Sequence, residues 1–144
     1  MKNHLSQKNS FTLIEIVIVV IIIGILMVLG VPRYMDTVQK AKQKDVKSMI
    51  RLISNAQWLL EAKGLPFYPT SGTALIGDIN QNLNLSILQP SDVVYECHAK
   101  AAGADFECHG YYPDKSSPQW TISTGIDKSV EELFCTAGTG GKCF

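Results

Sequence analysis

From Phe11 to Val31 the chain runs for 21 residues with a single charged side chain, Glu15. A helix of that length rises about 31 Å, close to the roughly 30 Å of hydrocarbon in a bilayer. A helix that buries one face in a soluble core shows a polar stripe every three or four residues. The unbroken Ile and Val series from Ile16 to Ile23 has none. β-Branched side chains lower helix propensity in water, but a lone segment in lipid has only the helix to satisfy its backbone. A membrane-spanning helix is therefore expected over residues 11–31. Only ten residues precede it, carrying Lys2, His4 and Lys8. The apolar run is too long for an ordinary secretory signal peptide, so a plain signal anchor is the simplest account of the spacing.

Glu15 asks for more than an anchor. A carboxylate at mid-membrane costs about 2.5–3.5 kcal/mol on insertion scales. Either it sits at headgroup level in the first helical turn, where negative charge suits the helix dipole, or it meets a cation on assembly. Cleavage after Ser10 would give Phe11 an α-amine, mostly protonated at neutral pH. Four residues separate Phe11 from Glu15, so amine and carboxylate share one helix face, about 6 Å apart along the axis. The carboxylate can then pair with its own amine or with that of a neighbouring subunit. Further along, Gly24 and Gly30 weaken the helix, and Pro32 lacks the N–H that would reach the carbonyl of Val28. A bend or frayed segment is expected between Gly24 and Pro32.

A short basic leader, then Phe-Thr-Leu-Ile-Glu at positions 11–15, then an apolar run with Gly24 and Pro32, resembles the type IV pilins and the pseudopilins of type II secretion. The resemblance covers residues 1 to about 34. It implies an α+β fold: a long N-terminal helix, its first half transmembrane or filament core and its second half amphipathic, packed on an antiparallel β-sheet. It implies that a prepilin peptidase cuts between Ser10 and Phe11 and that Phe11 is then N-methylated. The precursor would reside in the inner membrane with its C-terminal domain in the periplasm. An inner-membrane assembly platform would pass it into a helical homo-oligomer, a cell-surface pilus used for adhesion, motility or DNA uptake. Glu15 would recruit the α-amine of the adjacent subunit. The region of Gly24, Gly30 and Pro32 would melt in the filament, while a Pro kink in a continuous helix is expected in the isolated subunit. Ser10 departs from the family, which nearly always has Gly before the cut; Ser is also small, so cleavage is still expected.

Apolar residues continue at Val31, Tyr34, Met35, Val38, Ala41, Val46, Met49, Ile50, Ile53, Ala56 and Leu60, a stripe of period 3.6. Lys40, Lys42, Lys44, Lys47 and Arg51 gather on the polar side. Ala62-Lys63-Gly64-Leu65-Pro66 carries a basic last turn, a glycine for a left-handed cap and a proline soon after, all stop signals. The division expected is a leader at 1–10, an apolar helix at 11–31, its amphipathic continuation at 32–63 and a β domain at 64–144.

The overall balance of 13 basic and 13 acidic side chains conceals a split. Residues 32–63 hold seven basic and three acidic side chains, a balance of +4, whereas 64–144 hold four and nine, a balance of −5. Opposite surfaces on one subunit suit head-to-tail stacking of identical copies; a solvated lysine face is the plainer account. A net charge of zero argues against a general nucleic-acid binder, and no specific nucleic acid is expected as partner. Lysines after the apolar segment outnumber those before it, which by the positive-inside count favours a cytoplasmic C-terminal region. The resemblance and the cysteines favour the opposite side.

Four cysteines, Cys97, Cys108, Cys135 and Cys143, occupy the last third of the chain and allow three disulfide connectivities. Residues 93–100 and 105–112 both alternate like strands. A hairpin turning at Ala102-Gly103 pairs positions whose numbers sum to 205, which sets Cys97 opposite Cys108. The same register sets Lys100 opposite Asp105, His98 opposite Glu107 and Glu96 opposite His109. Val93, Tyr95, Cys97, Ala99, Phe106, Cys108 and Tyr112 then share one apolar face. A Cys₂His₂ zinc site built from Cys97-His98 and Cys108-His109 is disfavoured, because neighbours in a strand face opposite ways. Cys135 and Cys143 flank a glycine-rich loop suited to closure by a second bridge, an arrangement the resemblance also implies.

Further strands are expected at Trp120–Ile126 and around Leu133–Cys135, and residues 64–90 as a long connecting loop with at most one short helix. No phosphate-binding glycine loop, nucleophile elbow or catalytic carboxylate pair occurs. No enzyme, cofactor or metal is expected. The function expected is that of a structural subunit of a type IV pilus, with minor pilin or type II secretion pseudopilin as the alternative. The competing class is a membrane-anchored enzyme or binding protein that uses residues 11–31 only as an anchor.

Overall fold

A computed structural model describes residues 12–100, 104–124 and 133–144. The element order is a long helix α1 (Leu13–Ala62), strand β1 (Thr73–Leu75), a short helix α2 (Ile76–Leu83), and strands β2 (Val94–Lys100), β3 (Asp105–Tyr112), β4 (Trp120–Thr124) and β5 (Leu133–Ala137). The chain divides into two compact units, one ending at Gln39 and the other covering Lys40–Phe144.

Within the first unit the chain is helical from Leu13 without a break through Gly24, Gly30 and Pro32. Every apolar side chain from Leu13 to Val31 is exposed. By length and composition the helix is apolar enough to cross a membrane.

The second unit begins with the amphipathic part of α1. Val46, Ile50 and Ile53 are fully buried and join Ile79 and Leu83 of α2, Tyr95, Cys97, Phe106, Cys108, Trp120 and Ile122 in one core. At the end of α1, the N–H of Gly64 donates to the Glu61 carbonyl (2.8 Å) and that of Leu65 to the Leu60 carbonyl (3.1 Å). With Gly64 at φ 75°, these two bonds make the Schellman ending that the Gly64 stop signal predicts.

The five strands form an antiparallel meander in the order β1-β2-β3-β4-β5. The β2–β3 register places Cys97 against Cys108, Lys100 against Asp105 and Glu96 against His109, with every pair summing to 205. The predicted turn at Ala102-Gly103 lies outside the described residues, as do Gly125 and Ile126 of the expected fourth strand. Gly110 of β3 faces α1: a Cβ there would stand 2.4 Å from Cγ1 of Val46, so a side chain at this position would push against the helix.

Residues 64–90 hold more structure than the expected loop. β1 pairs with β2 through Thr73↔His98, Ala74↔Cys97 and Leu75↔Glu96. Three residues are too few for an alternating pattern to declare itself, and here the neighbouring edge of β2 supplies the order. The irregular stretches around this strand are tied down by carboxamides. Tyr68 N–H donates to Gln57 Oε1 (2.8 Å) while Gln57 Nε2 donates to the Tyr68 carbonyl. Asn80 repeats the arrangement, accepting from the Ile87 N–H (3.0 Å) and donating to its carbonyl (2.9 Å).

Candidate functional site

Three regions bear on what the chain does: the start of α1, the charged face of the sheet and the C-terminal loop. At the first, Thr12 and Glu15 form a reciprocal cap. The Thr12 N–H donates to Glu15 Oε2 (3.5 Å) and the Glu15 N–H to Thr12 Oγ1 (3.4 Å). Both bonds are long, but the pattern is a capping box, Thr-x-x-Glu, which satisfies two of the orphan donors at a helix start. The Thr-x-x-Glu spacing at positions 12–15 is the sequence signal for it. Glu15 thus has a partner within its own chain, one that does not consume its negative charge. Ser10 and Phe11, the cleavage and methylation positions, lie outside the described residues. A Cβ added at Gly24 or Gly30 would meet nothing within 4 Å. Nothing among the described residues therefore requires glycine at either position.

The second region is the sheet face turned away from the core. The expected cross-strand salt bridges are shifted from their register partners. Lys100 pairs with Glu107 (2.6 Å) rather than with Asp105 opposite it, and His98 pairs with Glu96 (2.9 Å) rather than with Glu107. Lys100 reaches a diagonal neighbour and His98 a residue two positions back on its own strand, while Asp105 turns back to accept from the Phe106 N–H (2.8 Å). His109 stands 3.6 Å from Glu107 and bonds Ser123 Oγ through Nδ1 (2.8 Å).

Glu96 is only 2% exposed, an unexpected place for a carboxylate. Lys115, His98 and Tyr111 each bond it at 2.9 Å. Burial alone would raise its pKa, yet these three partners together hold the carboxyl below the usual glutamate range. The same contact, added to burial, pushes the Tyr111 hydroxyl up. Burial lowers His109. The cluster is a neutralised, inward-tied network. Cys97 and Cys108 are disulfide-bonded to each other, so neither is a free thiolate for a metal.

The third region is closed by a Cys135–Cys143 bridge. Cys135 is half-buried and Cys143 exposed, whereas Cys97 and Cys108 are fully buried. Gln43 of α1, itself buried, holds the tail at two points: Nε2 donates to the Lys142 carbonyl, and Oε1 accepts from the Phe144 N–H (3.0 Å). Lys40 Nζ lies 4.7 Å over the Phe144 ring. Gly141 rests against residue 119, where a Cβ would fall 1.7 Å from the Gln119 carbonyl oxygen. Nearby, Lys42 bonds Asp92 and the Tyr112 hydroxyl (3.3 Å), and the Asp92 contact raises its pKa. Lys42 therefore belongs to the seam between helix and sheet, not to the solvated lysine face on which the sequence pattern puts it. Gln43 and Gln57 are the residues that sequence reasoning missed altogether. A glutamine within an apolar stripe, at a position that ought to be buried, was the available signal.

A family model described as the prokaryotic N-terminal methylation motif matches residues 5–31. The type IV narrow pilus major component PilA5 of Thermus thermophilus is 41% identical over 62 residues, covering 42% of this chain and 53% of that protein. A fimbrial protein of Dichelobacter nodosus is 33% identical over 108 residues, covering 72% of this chain and 64% of that protein. The chain thus spans about half to two thirds of the length of these relatives. No solved structure matches. With the methylation motif at its start, two pilus proteins among its relatives and a long helix packed on a disulfide-bonded antiparallel sheet, the chain is similar to the type IV pilins in its N-terminal segment and in its α+β layout.

Proposed function

We propose that this chain is a structural subunit that polymerises through its N-terminal helix into a type IV pilus. The observation that carries the proposal is the run from Leu13 to Val31, where every apolar side chain is exposed. So much apolar surface is stable only in lipid or against other protein, and a filament core offers the second environment once the chain leaves the first. Glu15, the one charge in the run, supports the same reading. Within the described residues its carboxylate takes only the uncharged Thr12 N–H, so a neighbour's protonated α-amine at Phe11 can still pair with it. Cleavage between Ser10 and Phe11 is what would create that amine, and methylation of Phe11 would keep it basic. A precursor with its C-terminal domain in an oxidising compartment accords with two disulfides and with no free cysteine among the described residues. The names of the two relatives favour a pilus over a secretion pseudopilus.

Mass spectrometry of surface filaments is the direct test. The expected product begins at an N-methylated Phe11, and an intact Met1 on functional filaments would sink the proposal. A Glu15→Ala variant is expected to lose filaments; normal filament yield would take Glu15 out of the assembly step.

A further inference from the structure

The solvent face of α1 between Lys44 and Leu59 carries two adjacent stripes that the fold of a single chain does not use. Lys44, Lys47 and Arg51 follow one another at offsets of three and four, so they form one ridge about 11 Å long. Among the described residues none of the three side chains has an ion-pair or hydrogen-bond partner, whereas Lys40 lies over Phe144 and Lys42 is bound to Asp92. Beside the ridge, Leu52 and Leu59 are seven residues apart on the same face and are 44% and 56% exposed. Two exposed leucines beside positive charge that no acid in the described residues answers suit a contact with an acidic surface.

The charge ledger says what would cover it. Among the described residues three lysine–carboxylate ion pairs join Lys42 to Asp92, Lys100 to Glu107 and Lys115 to Glu96. Setting those residues aside leaves six basic and three acidic side chains in residues 32–63, a surplus of +3. It leaves two basic and six acidic ones in residues 64–144, a surplus of −4. Internal pairing therefore leaves the overall imbalance at −1 and trims the segregation by only one charge on each side. Of the acids described, Asp78, Asp105 and Asp114 form no ion pair. Two near-equal and opposite surpluses on one chain are complementary between copies, in a contact that pairs unlike surfaces and so propagates.

We propose that the ridge Lys44–Lys47–Arg51, with Leu52 and Leu59 beside it, is the docking surface for the acidic sheet domain of a second copy of this chain. The inference rests on the filament reading and adds to it a polar contact outside the apolar core. Zero-length carbodiimide cross-linking of filaments grown from a mixture of ¹⁵N-labelled and unlabelled chains tests it. Mixed-isotope peptides joining Lys44 or Lys47 to a carboxylate within residues 64–144 are expected. Links confined to one isotope, or none at these lysines, would overturn the inference while leaving the filament itself standing. A chain that forms no filaments at all would instead overturn the reading on which the inference depends. A Lys44→Glu/Lys47→Glu/Arg51→Glu variant is expected to lower filament yield about tenfold, while Lys44→Arg/Lys47→Arg/Arg51→Lys keeps it, which separates charge from folding. Were the reversed variant to assemble normally but detach from vesicles containing phosphatidylglycerol, the ridge would serve an anionic lipid surface and the inference would fail.

Discussion

The two ends of α1 are one helix by backbone and two different materials by side chain. From Leu13 to Val31 nothing apolar is buried; from Gln43 to Gln57 six residues are buried, three of them polar. The first stretch is uniform, so it presents apolar surface in every direction and specifies no partner face within its own chain. The second has a stripe, a charged back and a glycine facing it at position 110, so its place on the sheet is determined. Uniformity suits a segment that must exchange lipid for neighbours, and patterning suits one that must pack once. The difference also separates stability from assembly, and substitutions should respond accordingly.

The largest contrast is expected for an aspartate placed in each half. Ile50→Asp buries an unpaired carboxyl in the core and should cost more than about 4 kcal/mol, enough to unfold the sheet unit. Ile18→Asp should leave the thermal midpoint of that unit unchanged while abolishing membrane insertion or assembly. Circular dichroism in detergent reads the first and filament yield the second. Equal stability losses would mean that the two halves are not independent.

Next come the disulfides. Removing Cys97–Cys108 as a double serine variant should cost about 2–5 kcal/mol, and leaves polar atoms in the core besides. Removing Cys135–Cys143 should cost less, because its sulfurs lie at the surface and Gln43 still holds the tail. Denaturant midpoints under non-reducing conditions rank the two; the reverse ranking would make the C-terminal loop the more important clamp.

Gln43→Leu fills the same space without the two bonds to the tail. A loss of about 1–3 kcal/mol is expected, together with faster hydrogen exchange at the Phe144 amide. The smallest effect is that of acid. His109 and Glu96 both have folded-state pKa values below their unfolded ones, so the unfolded chain binds more protons and stability rises with pH for each. Stability should therefore begin to fall as pH drops through the ordinary histidine range. It should fall again below the ordinary carboxylate range, where Glu96 protonates and loses its hold on Lys115. Glu96→Gln should flatten the second limb and leave the first, as read by thermal midpoints across pH.

Much of this architecture was legible in the sequence because it follows periodicity. The helix, the β2–β3 register and the facing of Cys97 on Cys108 come from repeats of 3.6 and 2 that local chemistry enforces. β1 left no such mark, being three residues held by a neighbour's edge. Glu96 was legible as a strand residue but not as a buried one, since its cover comes from Lys115 in the loop after β3. Gln43 and Gln57 were hidden for a related reason: their partners are main-chain atoms at residues 68, 142 and 144, which carry no side-chain signature. At the start of α1, the Thr12–Glu15 cap is legible from its Thr-x-x-Glu spacing alone.

The carboxamide ties at Gln43, Gln57 and Asn80 have a consequence for how this surface can vary. Each grips a loop by its peptide groups and ignores which side chains that loop displays. The outward residues at 136–142 are therefore free to be rewritten without disturbing the grip, apart from the glycines pressed on the neighbouring loop. Their number is not free, because a residue gained or lost between Cys135 and Cys143 would move the Phe144 amide off Gln43. The molecule fixes the length of its exposed tip and leaves the wording open.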